Sequence, residues 1–369
     1  MKAQTTSHDG WLQFDVHGKV GIRVEADSPA AAQLRTMLAC FATDSEVPAD
    51  ITVSRELEQR GVTAELEDQL RYTSDSVEFV RERVQIVHEG GRYRIHGDGE
   101  LLTSLVPILD RAMVERRAAM IHAATVGYRG RAIALPAAGG VGKTSTVAKL
   151  MRKDGFSFMG DDWAFLSDDH QLLGYEKPMF IKPHHRDIYP HLFHGVRKPM
   201  VPSRLSRPVG RLTTVVHPFI IRYPKLADVS RRWSPEHRMV DAASALPGVP
   251  VTTAAPLLAA VYIERHSGVG VDLVEKSQAW MVDRMFGNFQ VEMPGFSQEV
   301  VTALAASSVL SWRQLVDDKA DVLTKAIDGV PCHLLQVPAQ WTPDRASDEV
   351  VTVLEGLLPN LLADDVAES

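Results

Sequence analysis

Cysteine is almost missing from these 369 residues: Cys40 and Cys332 stand far apart, outside any metal-spaced or C-x-x-C group. A disulfide framework and a cysteine-held metal are thereby excluded, and both residues are expected as small buried apolar groups in a reducing compartment. No apolar run approaches the roughly 20 residues that span a bilayer, and the polar start Met1 to Gly10 has no basic stretch leading into an apolar one. The expectation is a cytoplasmic protein without membrane contact. Excess positive charge is also lacking: 40 basic against 47 acidic side chains leave a net charge of -7, which argues against a nucleic-acid binder working by overall charge. There is no internal repeat. A composition of 45% hydrophobic and 24% charged residues is that of an ordinary globular protein, long enough for about two domains.

Alternating stretches at Trp11 to Val16 and Lys19 to Glu25 read as a hairpin around His17-Gly18, with a helix following over Pro29 to Ala42. Val77 to His88 and Arg92 to His96 read as a second hairpin, so residues 1–105 form an expected N-terminal α+β accessory domain. A helix from about Leu101 to Arg117, kinked or started late by Pro107, leads into an apolar strand at Ala118 to Val126. The short link Gly127-Tyr128-Arg129-Gly130 then requires an antiparallel return through Arg131 to Pro136, because a parallel crossover needs a dozen or more residues. Residues 106–369 are expected as the main domain, with an irregular Pro-, Arg- and His-rich insertion over about 175–240. Later elements are expected at Leu257 to Arg265 (strand), Val300 to Leu310 and Asp318 to Ile327 (helices), His333 to Val337 (strand) and Ser347 to Leu358 (helix), with a frayed tail from Asp364.

The strongest chemical signal is Ala137-Ala138-Gly139-Gly140-Val141-Gly142-Lys143-Thr144, followed by Ser145. It fits the phosphate loop G-x-x-x-x-G-K-[ST] except that Ala137 replaces the first glycine, which is tolerable at negative φ. Small residues let successive N–H groups turn toward phosphate oxygens. Lys143 would neutralise β/γ-phosphate charge and the Thr144 hydroxyl would ligate Mg²⁺. A helix of about eleven residues down and a strand of about six back bring Asp161 and Asp162 to the tip of a strand near Lys143. There a carboxylate can hold Mg²⁺ or take the proton of an attacking hydroxyl. In the expected hairpin His122 lies opposite about Leu135, next to the loop.

The hairpin into the loop, the His before it and the Asp pair about eighteen residues after the Lys resemble HPr kinase/phosphorylase and its relatives, over roughly Ala118 to Asp169. That family shares its nucleotide-binding core with phosphoenolpyruvate carboxykinase. The resemblance implies an α/β (α+β) fold with a mixed-sheet P-loop core. It also implies Asp161 as the catalytic carboxylate that activates the acceptor, with Asp162 and His122 beside it, and ATP or another nucleoside triphosphate with Mg²⁺ as cofactors. The family's segments for recognising HPr and for phosphorolysis are not found after the Asp pair. The acceptor therefore stays open between a hydroxyl of a small metabolite (sugar, aminocyclitol or amino acid) and a serine in a protein or peptide.

Between Lys182 and Arg238 twelve Lys and Arg meet three acids, a net +9 that leaves -16 for the remainder of the chain. Such a segment can act as a cationic lid over a triphosphate, with Lys182 and Arg186 as the first substrate-contact candidates. The rival from another class is a regulatory protein that senses ATP without transferring phosphate. A carrier-protein serine kinase/phosphorylase is a further alternative. No nucleic-acid partner is expected, and a homo-oligomer is compatible with everything above.

Overall fold

The computed structural model describes residues 10–61, 63–66, 69–97, 101–182, 185–193 and 238–368. Among them are two large mixed sheets and eight helices, a mixed α/β chain. Two compact units divide it: residues 1–177 with 248–369, and residues 178–247.

The first sheet holds β1 (Trp11–Val16), β2 (Val20–Glu25), β3 (Ile51–Ser54), β4 (Ala64–Leu66), β5 (Leu70–Tyr72), β6 (Ser76–Phe79), β7 (Val84–Glu89) and β8 (Arg92–Gly97), in the order β1-β2-β3-β8-β7-β6-β5-β4. Alternation puts Leu12, Phe14 and Val16 of β1 and Val20, Ile22 and Val24 of β2 into the core. Helix α1 (Ala31–Met37) is shorter than the expected Pro29 to Ala42. A 3₁₀ turn over Ala39–Phe41 buries Phe41 and leaves Cys40 exposed, against the expectation of two buried cysteines, while Cys332 is buried. The expected strand Val77 to His88 is two strands, because a turn with Arg83 at φ +54° reverses the chain between β6 and β7.

Helix α2 (Leu101–Glu115) runs through Pro107 instead of starting after it. Proline has no N–H for the carbonyl four residues back. The Ser297 hydroxyl donates to that carbonyl, Thr103 O, and so restores the missing partner. Leu101, Leu105, Ile108, Leu109 and Ala112 of α2 share one core with the first sheet and with Ala118, Met120 and Phe165 of the second. The sequence on either side of residue 105 thus packs into one compact unit.

The second sheet begins with β9 (Ala118–Tyr128), buried along its whole length, and β10 (Arg131–Pro136). Their turn is the two residues Arg129 and Gly130, at φ +49° and +84°, matching the twist of flanking strands. Helix α3 (Lys143–Leu150) follows the glycine-rich loop and is three residues shorter than expected. Then come β11 (Phe156–Gly160), β12 (Trp163–Ser167) and β13 (Gln171–Gly174). The smaller unit has β14 (Met179–Ile181) antiparallel to β15 (Arg238–Val240), and α4 (Ala242–Ala245), capped by the Asp241 side chain on Ser244 N–H.

The larger unit resumes with β16 (Ala254–His266), β17 (Asp272–Glu275), α5 (Gln278–Val291), α6 (Ser297–Ala306), α7 (Trp312–Ala326), β18 (Cys332–Pro338) and α8 (Pro343–Glu368). β16 runs parallel to β10 and β18 and antiparallel to β13, so the pairings β10-β9-β12-β13-β16-β10 close a circuit. The expected frayed tail is helical to Glu368, and Asp365 pairs with Arg131. Among the described residues no helix is long and apolar enough to cross a membrane.

Candidate functional site

The site forms where β10 ends. Ala137 continues the strand line with a parallel bridge to Ile263, is buried, and keeps φ out of the positive range, so alanine fits where a glycine is usual. Gly140 and Gly142 do need to be glycine, at φ +82° and +112°. The β9/β10 register pairs Pro136 with Ala123 and Leu135 with Ala124, which sets His122 opposite Ala137 rather than Leu135. The two-residue turn is the reason for the shift. It carries His122 directly to the mouth of the loop.

Asp161 and Asp162 follow the end of β11, as expected, but the chain does not turn away there. Gly160 pairs with Thr125 and Trp163 with His122, so β11, the Asp pair and β12 form one antiparallel line along β9, interrupted at the two aspartates without loss of register. Ala123 N–H donates to Asp162 O at 3.0 Å and holds the interruption in place. The carboxylates therefore enter the site from the middle of the sheet, beside His122.

Six side-chain contacts define the centre. The Thr144 hydroxyl donates to Asp161 Oδ2 at 2.8 Å. Lys143 Nζ donates to Ala137 O at 2.6 Å and lies 2.8 Å from His122 Nε2. His122 Nδ1 is 3.2 Å from Asp162 Oδ1, close enough for an ion pair but short of hydrogen-bond geometry. Lys177 pairs with Asp162 Oδ2 and lies 4.1 Å above the Trp163 ring.

Burial sets the protonation of these groups. Asp161 is 8% exposed. Burial, with the negative charge of Asp162, pushes its carboxyl up to about 7. Burial and the Lys143 charge push His122 down to about 4, and burial also lowers Lys143. Burial works to raise Asp162 too, but the charges of Lys177, His122 and Lys143 prevail and hold it below the usual carboxylate range. Two adjacent carboxylates are thus driven apart, one toward neutrality near pH 7 and one kept ionised.

The loop's small residues Ala138, Gly139 and Gly140 are exposed, while Lys143 and Ser145 are buried. Compared with models of protein families and with curated proteins, the chain matches none. Asp161 Oδ1 is buried and has no hydrogen-bond partner, and Oδ2 sits beside the Thr144 hydroxyl. An orphaned carboxylate oxygen next to a hydroxyl suits a hard divalent cation such as Mg²⁺. Among the described residues no group of three or more His, Cys, Asp or Glu could hold a metal by itself. A cation here would therefore take further ligands from phosphate or water.

Lys182 and Arg186 belong to the smaller unit, where Arg186 lies over the Phe193 ring at 5.3 Å. Most of the expected cationic lid, residues 194–237, is outside the described residues.

Sequence reasoning missed Lys177, Asn288, Glu292 and the loop contact of Arg265. Asn288 Nδ2 donates to His122 O at 2.9 Å and Ala137 O at 3.2 Å, tying the two facing residues together. Arg265 Nη2 donates to Val141 O at 3.2 Å and Nη1 to Pro338 O at 3.0 Å, which anchors the loop's far side. Helix α5 was itself missed, although the sequence carries a signal for it: Ser277 caps it at Trp280 N–H, and Met281, Val282, Met285 and Phe289 follow at helical spacing. Nothing in the sequence aims its last turn at the loop.

Proposed function

We propose that this chain is a nucleoside-triphosphate- and Mg²⁺-dependent phosphotransferase with a hydroxyl acceptor, of the kind the resemblance to HPr kinase/phosphorylase implies. The observation that carries the reading is Asp161: buried, bonded to Thr144 beside the glycine-rich loop, with an ionisation poised near neutrality. A base that works at pH 7 needs this placement and this pKa.

The triphosphate takes its place along the N–H groups of residues 138–145, with Lys143 and the start of α3 offsetting phosphate charge. Thr144 and Asp161 would hold Mg²⁺, which would supply neutralisation of phosphate charge. The acceptor oxygen attacks the γ-phosphorus. Its new O–P bond replaces the β–γ bridging bond, the nucleoside diphosphate leaves with that bridging oxygen, and the acceptor's proton passes to Asp161. Asp162, fixed by Lys177 and His122, stays anionic and keeps the Asp161 pKa high enough to accept a proton.

Incubation with γ-labelled ATP and a cell extract, followed by separation of protein from small molecules, tests the reading. Label on a small molecule or on a serine supports transfer and names the acceptor class. Nucleotide binding with no transferred label leaves the ATP-sensing alternative in its place.

A further inference from the structure

Glu292, the first residue after α5, reaches into the glycine-rich loop. Its Oε1 accepts from the Gly139 N–H at 2.7 Å, and its Oε2 lies 4.0 Å from His122 Nε2. A Cβ at position 139 would come to 3.3 Å from both carboxylate oxygens, so a side chain there would crowd the seat. The chemistry is that of a phosphate oxygen: a paired-oxygen anion on a main-chain N–H of a loop that opens a helix, facing a Lys-His pair. Lys143 meanwhile spends its donors on Ala137 O, Ala138 O and His122, inside the loop.

The contact is held from behind. Met281, Met285 and Phe289 bury α5, and Asn288, one turn before Glu292, is bonded to His122 O and Ala137 O. The carboxylate's own end is free to leave: the Glu292 side chain is 27% exposed, and rotation about its side-chain bonds suffices to carry it into water.

We infer that Glu292 is an intramolecular competitor for the phosphate seat, an anionic plug that triphosphate must displace before the loop closes on it. The inference rests on the nucleotide reading above. It makes the resting loop self-occupied and sets a threshold concentration for the nucleotide.

The test is calorimetric titration of the full chain with Mg-ATP and, separately, with inorganic tripolyphosphate. Wild type is compared with Glu292→Gln, which keeps the side chain's shape, and Glu292→Ala. A neutral residue at 292 is expected to tighten both ligands about tenfold, the scale of one lost charge-assisted hydrogen bond. Unchanged affinity overturns the plug and leaves the nucleotide reading standing. Weaker affinity overturns it as well, making Glu292 part of the binding apparatus. Failure of wild type and both variants to bind either ligand, with melting temperatures unchanged, overturns the nucleotide reading and the plug with it.

Discussion

His122 accepts a hydrogen bond from the Lys143 ammonium, Nζ to Nε2 at 2.8 Å, and so faces Asp162 with its Nδ1. An imidazole that accepts at Nε2 carries its proton on Nδ1. One neutral histidine thus links the loop's lysine to the ionised carboxylate, and its low pKa follows from burial and from that lysine.

Lys143→Met removes a positive charge that holds His122 down. The His122 pKa is expected to climb from about 4 toward its ordinary 6.5, read by titrating the imidazole carbon protons in NMR. The same variant loses nucleotide-dependent turnover. A His122 pKa that stays near 4 would leave burial, with the Lys177 charge, as the cause.

Asp161→Asn separates stability from activity. The Asp161 pKa is raised on folding, from 3.8 to about 7, so the folded state favours the proton. Ionisation therefore costs stability as pH rises from about 4 through 7, by at most about 4 kcal/mol. The asparagine variant is expected to be more stable than wild type at pH 8 and nearly equal at pH 4, by urea unfolding at the two pH values. Turnover falls about 10²- to 10⁴-fold at every pH. His122 acts oppositely in wild type: its lowered pKa favours the fold above 6.5 and forfeits that stability as pH falls toward 4.

Lys177→Met leaves Asp162 without its strongest cationic neighbour. The Asp162 pKa rises, and the acidic limb of the pH-rate profile moves to higher pH. A profile unchanged in shape but lower in height would make Lys177 a packing residue against Trp163.

Ser297→Ala withdraws the hydroxyl that serves Thr103 O, the carbonyl to which Pro107 offers no N–H, and Pro294 O. A cost of about 0.5–1.5 kcal/mol is expected, the net worth of one hydrogen bond. Pro107→Ala in the same background supplies the helical N–H and restores most of it, measured as a double-mutant cycle in denaturant.

Much of the site could be read from local pattern. The loop motif, the Asp pair and His122 each announce a chemistry by residue type and spacing, and the strand, loop and helix around Lys143 are found at the expected places. The errors came from geometry that spacing does not encode. A two-residue turn instead of a four-residue link moved His122 opposite Ala137, and the pairing of β12 with β9 straight after the aspartates, which spacing did not announce, set them beside His122. The helix from Leu101 was expected with a kink or a late start at Pro107; that it runs through the proline involves a serine 190 residues away, which local rules do not see.

By itself the sequence determined the elements that short-range physics governs: hairpins at glycine-bearing turns, amphipathic strands, and a loop whose glycines permit the positive φ that Gly140 and Gly142 adopt. Only the tertiary structure decided which groups meet. Lys177, Asn288 and Glu292 lie 15, 166 and 170 residues from their partners Asp162 and His122, contacts made by the sheet and by the packing of α5. The shifted pKa values of Asp161 and His122 arise from burial and neighbouring charge. Both exist only once distant segments have closed around the site.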